Sequence, residues 1–282
     1  MIRRSVVATF CVAACGCVST ADHSNKILTY TEYAAIQHST PYVLEFGVGD
    51  GALLLYGARH TFDPSDPQIE DIKGEWERFR PTVAYNEGGN PPAEGSVKAA
   101  VERYGETGLV RFLAAWNRVP VATFEPFRVA EADALLKRYT AEQVKIFLTL
   151  RAYLTFRRSK HDKTAEEFMS GLLADKGGVQ SSPNTIKELE AAYITLFPGH
   201  TDWRNVPEEW FDPTKSIQYT NTASADSGHF RDQHIFKVLV DRAHRGDRVI
   251  AVIGASHVPT LEPALSATLG TPKRKRNGDS AS

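Results

Sequence analysis

Leu53-Leu54-Leu55-Tyr56-Gly57-Ala58-Arg59-His60 and Val249-Ile250-Ala251-Val252-Ile253-Gly254-Ala255-Ser256-His257 are two apolar runs that each close on Gly-x-x-His. An uninterrupted aliphatic run suits a strand covered on both faces, as in the parallel sheet of an α/β protein. The glycine lets the chain leave the strand tightly or lets a ligand approach the backbone. Each histidine is then expected just past a strand's carboxyl end, where open α/β sheets place their ligands. A single Gly-x-x-His is a weak pattern, but its return after two matching strands predicts a shared site.

The surrounding sequence alternates strand and helix signals. Tyr42-Val43-Leu44-Glu45-Phe46 and the run from Ala52 flank Gly47-Val48-Gly49-Asp50-Gly51, which predicts a hairpin. Ile69, Ile72, Trp76 and Phe79 share one helical face after Pro67, with Asp63 and Asp66 as cap candidates. Thr82-Val83-Ala84-Tyr85-Asn86-Glu87 predicts a second buried strand, stopped by Gly88-Gly89-Asn90-Pro91-Pro92. Helices are expected over 96–104 and 109–117, then a third short strand over 119–124. Strands separated by helices in this way predict a largely parallel sheet.

The middle of the chain differs. Helices are expected over 140–158, 163–176 and 183–196 with no strand between them. That pattern predicts a helical insertion at about residues 130–200, packed over the strand-end rim. Residues 198–228, rich in Pro, Trp, Asn, Asp and Ser, read as a long ordered loop roofing a site. A helix over 230–244 then leads into the last strand. The expected class is α/β, a largely parallel mixed sheet with flanking helices and a helical insertion.

Composition bounds the function. A formal charge of −1 offers no electrostatic footprint for nucleic acid, and none is expected as a partner. Arg3 and Arg4 precede an apolar stretch from Val6 to Ala14 that is too short for a membrane span. Val12-Ala13-Ala14-Cys15 resembles a bacterial lipobox, so residues 1–24 read as a lipoprotein signal peptide and tether. Cys15 is the expected lipidation site and Cys17 the weaker alternative. Gly16 beside the acylated residue points to a lipid anchor in the outer membrane, facing the periplasm. All three cysteines, Cys11, Cys15 and Cys17, lie in this leader, which leaves His, Asp, Glu and Arg to carry any chemistry. Residues 25–270 read as one domain. The stretch 271–282, with Lys273-Arg274-Lys275-Arg276, reads as a disordered basic tail.

The chemistry can then be assembled. His60, Glu87, Glu125 and His257 would punctuate four strands at one edge. Two histidines and one or two carboxylates form a plausible metal set of His60, Glu87 and His257, with a divalent ion as candidate cofactor. Without metal the same groups form a general acid/base set acting on water. Glu125 is as readily a salt-bridge partner as a ligand contact, and His229 and His234 are as readily surface residues.

Gly57-x-x-His60, Glu87, Arg231-Asp232 and Gly254-x-x-His257 together resemble the Tiki/TraB and erythromycin-esterase-like superfamily, and more distantly the ChaN-type haem-binding lipoproteins. The resemblance covers residues 42–125 and 228–265. It implies an α/β sheet carrying the Gly-x-x-His motifs at one rim, and it marks His60, Glu87, Arg231 and His257 as catalytic. In esterase-like members the first histidine is regarded as the base that activates water, with the glutamate beside it. In Tiki-type proteases the matching histidines are associated with a divalent metal. Arg231 would stabilise charge on a tetrahedral intermediate. Glu125, Arg59 and Asn86 are expected to contact substrate. Arg59 before His60 and the Pro-rich stretch after Glu87 depart from esterase patterns.

Two function classes follow. The first is an exported, lipid-anchored hydrolase of a small-molecule or peptide substrate. The alternative is a non-catalytic haem-binding lipoprotein, for which Tyr56 and Tyr85 are the candidate axial ligands, both in expected buried strands. Since both histidines stand at strand ends, removing either is expected to leave the fold intact.

Overall fold

The two glycine-closed runs are adjacent parallel strands, in register from Ala52↔Arg248 to Ala58↔Gly254. The computed structural model describes residues 23–174 and 179–277. The leader with Cys15 and Cys17 lies outside the described residues. In chain order the elements are α1 (Tyr30–Tyr33), β1 (Tyr42–Val48), β2 (Gly51–Ala58), α2 (Pro67–Phe79), β3 (Val83–Asn86), α3 (Val97–Asn117) and β4 (Val121–Thr123). They are followed by α4 (Arg128–Leu135), α5 (Ala141–Arg158), α6 (Ala165–Ala174), α7 (Ile186–Leu196), α8 (Tyr219–His244), β5 (Arg248–Gly254), α9 (His257–Leu269) and β6 (Arg274–Asn277).

The sheet order is β4-β3-β5-β2-β1-β6. β4, β3, β5 and β2 are parallel, while β1 runs antiparallel to β2 and β6 antiparallel to β1. The protein is therefore an α/β fold with a mixed, mainly parallel sheet. The expected hairpin is the β1–β2 pair, turning at Gly49-Asp50.

Side-chain alternation along the strands fills two cores. Leu53, Leu55, Val249, Ala251 and Ile253 face α8 and α9, packing with Ile235, Phe236, Leu239, Val258 and Leu261. Leu54, Tyr56, Ile250 and Val252 face α2 and α3, packing with Ile69, Ile72, Trp76, Phe79, Leu109 and Leu113. Each fully buried Leu or Ile contributes about 1.5–3 kcal/mol. That is why both central strands read as continuous apolar runs. The helices between β4 and α8 have their own core, centred on Ile146, Leu150, Tyr193, Phe197, Trp203 and Trp210.

Two expectations give way to tertiary structure. The stretch 198–228 is not a loop throughout: it makes short 3-10 turns at Trp203–Asn205 and Glu208–Phe211, and α8 begins at Tyr219. Its polar residues are helical because they find partners. The Asn221 carboxamide accepts the Ile217 and Gln218 N–H groups at 3.0 and 2.8 Å and donates to the Glu209 and Asp212 carbonyls at 2.7 and 2.9 Å.

The basic tail, expected to be disordered, instead forms β6 over 274–277, whose charges are paired. Arg274 bonds both Glu75 oxygens at 2.7 and 2.5 Å, Arg276 reaches Asp71 at 2.6 Å, and Lys275 reaches Glu262 at 2.7 Å. Residues 278–282 lie outside the described residues.

The helices expected over 96–104 and 109–117 are both present within α3, separated by a kink at Gly105, whose φ of 57° and ψ of −142° leave the helical region. A Cβ there would stand 2.9 Å from the Thr61 carbonyl, so the loop after β2 presses against the break. No described helix is long and apolar enough to cross a membrane.

Candidate functional site

Four parallel strands bring their carboxyl ends to one edge, and the ionisable residues gather there. Glu87, just past β3, accepts the Gly254 N–H on Oε2 at 2.7 Å. Its other oxygen, Oε1, accepts Arg231 Nη2 at 2.7 Å and lies 3.7 Å from His257 Nε2. Arg231, on α8, also takes Glu125 in a two-pronged grip, Nε to Oε2 at 3.0 Å and Nη2 to Oε1 at 2.7 Å. One guanidinium thus clamps carboxylates from two neighbouring strands, a geometry suited to its planar fork. The group is largely desolvated, with Arg231 and Glu87 side chains 13% and 17% exposed.

The charges stabilise one another against burial. Burial disfavours the Glu87 carboxylate, but Arg231, His257 and His60 outweigh it and hold its pKa well below the usual range. Burial likewise opposes the Arg231 charge, and Glu125 and Glu87 more than compensate.

The two histidines, alike in sequence, differ in setting. His257 is the first residue of α9 and is buried; its Nδ1 meets Asp232 Oδ1 at 2.5 Å. Burial works against its protonation, but Asp232 and then Glu87 raise its pKa to about 10. It is therefore a fixed imidazolium at neutral pH. His60 stands two residues beyond β2 with half of its side chain exposed, and its Nδ1 lies 3.6 Å from Glu106 Oε2. Glu106 raises its pKa first, burial opposes, and Glu87 adds to the rise. Glu106 also accepts the Thr61 N–H at 2.6 Å, and it can do both because α3 breaks at Gly105.

Gly254 joins these groups. A Cβ on it would stand 2.9 Å from His60 Nε2 and 3.3 Å from Glu87 Oε2. Both atoms therefore border the same small space, and the absent side chain is what lets them approach it. The glycine of the second motif serves the histidine of the first.

Comparisons with family models, curated proteins and solved structures each returned nothing. The site must accordingly be judged on its own geometry.

Of the sequence candidates, His60, Glu87, Glu125, Arg231 and His257 converge. Arg59 does not: its guanidinium turns away to Asp66 at 2.7 Å, beside the α2 cap. Asn86 is fully buried, and its amide donates to the Glu87 and Gly89 carbonyls at 3.0 and 2.7 Å. It shapes the exit of β3.

Of the expected metal set, Glu87 is already engaged. Its carboxylate accepts one guanidinium and one amide. Among the described residues no three His, Cys, Asp or Glu side chains are arranged to hold a metal ion. The tyrosines named for haem are engaged as well: the Tyr56 hydroxyl donates to Asp71 at 2.6 Å, and Tyr85 accepts Arg242 Nε at 3.0 Å.

The expectation that removing His257 leaves the fold undisturbed is also revised, since its loss would take from the buried Asp232 its one hydrogen-bonded partner. Two further residues matter. Asp232 was visible beside Arg231 but carried no assigned role. Glu106 had no signal, since only the break at Gly105 turns it towards His60.

Proposed function

We propose that this site is a metal-independent hydrolase centre in which His60 activates water against an ester or peptide carbonyl. One observation carries the reading: His60 Nε2 and Glu87 Oε2 border one space at Gly254, while Glu106 stands behind His60 Nδ1. A carboxylate behind one ring nitrogen orients the imidazole and favours its protonated form, which is what a general base needs as it accepts a proton.

In the reaction, His60 takes a proton from water held beside Glu87, and the hydroxide adds to the carbonyl carbon. Arg231, whose Nη1 neither carboxylate engages, is the group assigned to stabilise the developing oxyanion. Collapse of the intermediate breaks the bond to the leaving group, which receives the proton from His60. The products are a carboxylic acid and an alcohol or amine. His257 is the fixed cation that, with Arg231, holds Glu87 ionised, and it exchanges no proton with substrate.

The lipobox-like Val12-Ala13-Ala14-Cys15 supports an envelope-anchored enzyme whose active edge meets substrates in the periplasm. A panel of chromogenic esters and short peptides tests the activity. Turnover should survive chelators and disappear in His60→Gln. Turnover at the wild-type rate in His60→Gln would refute the assignment.

A further inference from the structure

α1 is a single turn that packs on α9, the helix that begins with His257. The Leu28 N–H donates to the Thr260 carbonyl at 3.1 Å, pinning the segment to the first turn of α9, which begins with His257. Thr29 and Glu32 cap α1 reciprocally, the Thr29 N–H reaching the Glu32 carboxylate at 2.8 Å and the Glu32 N–H reaching the Thr29 hydroxyl at 3.2 Å. Tyr30 is thereby turned inward and is 4% exposed.

Its ring lies against Gly228 of α8, where a Cβ would stand 2.5 Å from Cε2 and 2.7 Å from the hydroxyl oxygen. Gly228 and Asp232 are one helical turn apart on α8, so the hydroxyl crosses the turn that carries Asp232. Asp232 is fully buried. Its Oδ1 meets His257, but its Oδ2 is buried without a hydrogen-bond partner. A buried carboxylate oxygen left without a donor is costly, and native structures rarely leave one so. Burial, and then the Asp232 charge, raises the Tyr30 pKa well above its ordinary value, so the phenol keeps its proton and is a donor.

We propose that Tyr30 is a positioning residue of the site: across one water molecule, its hydroxyl supplies the donor that Asp232 Oδ2 lacks. The series Tyr30–Asp232–His257–Glu87 is then continuous. Asp232, held at both oxygens, fixes the His257 ring so that Nε2 stays directed at Glu87. The first described stretch of the chain thus becomes part of the site.

The inference stands independently of hydrolysis, because its test reads His257 directly. An imidazolium N–H bonded to a carboxylate gives a low-field proton resonance, assignable in the full chain by its loss in His257→Gln. Tyr30→Phe keeps the ring and removes only the hydroxyl. It should move this resonance and speed its exchange with solvent about tenfold. Gly228→Ala, which displaces the ring, should do the same. A role for the ring in packing alone would leave Tyr30→Phe unchanged. A low-field resonance identical in wild type and folded Tyr30→Phe overturns the proposal, as does its absence from the wild type. Should Gly228→Ala fail to fold, Tyr30→Phe still decides.

Discussion

Gly254 and His60 face each other across the β2–β5 pair, and a methyl group on the glycine would stand 2.9 Å from the imidazole Nε2. The contact is with the end of a half-exposed side chain, so Gly254→Ala should fold with little change in melting temperature. His60 must swing aside to accommodate it. Since a displacement of about 1 Å at a reacting group costs on the order of 100-fold, turnover should fall by that much. Unimpaired turnover would show that the space at Gly254 is not where water is activated.

The pH dependence follows from the His60 environment. Its pKa is raised by Glu106, against burial, with Glu87 adding to the rise. The base is the neutral form, so kcat/KM should climb with pH through a value above the ordinary 6.5 for histidine. Glu106→Gln removes the first cause and should shift that limb to lower pH. A limb that stays in place in Glu106→Gln would separate Glu106 from the base.

Stability should respond to His257 in the alkaline range. Its folded-state pKa is about 10, above the unfolded 6.5, so the folded state binds the extra proton between these values. The contribution is fully present below about pH 6.5 and is lost as pH rises through about 10. Glu87 acts in the opposite range: its depressed pKa gives stability that is present above its unfolded value of 4.5 and lost in acid. His257→Ala should cost about 3 kcal/mol, because it leaves Asp232 buried and unpaired. Denaturant melts at pH 6 and 10 check this; a wild type equally stable at both would contradict it.

Removing residues 271–282 should be destabilising. β6 covers the free edge of β1, and Arg274 pairs with the buried Glu75 at 2.5 Å. Arg78 still reaches Glu75 at 2.9 Å and Arg274 is partly exposed, so the loss should be about 2 kcal/mol. The truncated chain should also self-associate more readily, because an uncovered strand edge pairs with other chains. Chemical denaturation and light scattering measure the two effects. Unchanged stability would mean that β6 contributes nothing to the edge.

The sequence alone determined the central sheet. Leu53–Leu55 and Val249–Ile253 are apolar at every position because both faces of β2 and β5 are covered, and composition reports that directly. The hairpin at Gly49-Asp50, the Asp66 cap of α2 and the insertion between β4 and α8 were legible for the same local reasons. So was the gathering of His60, Glu87, Glu125 and His257, since parallel strands must end at one edge. What each residue does there was decided by contacts far apart in sequence. Asp232 and Glu87 make His257 a fixed cation, while His60, beside Glu106, stays half exposed. Arg59 turns to Asp66, and Asn86 turns to its own loop. The polar start of α8 and the basic strand β6 were misread because local propensity and charge argue for loop and solvent. Partners such as Glu209, Asp212, Glu75 and Asp71 meet them only once the chain has folded.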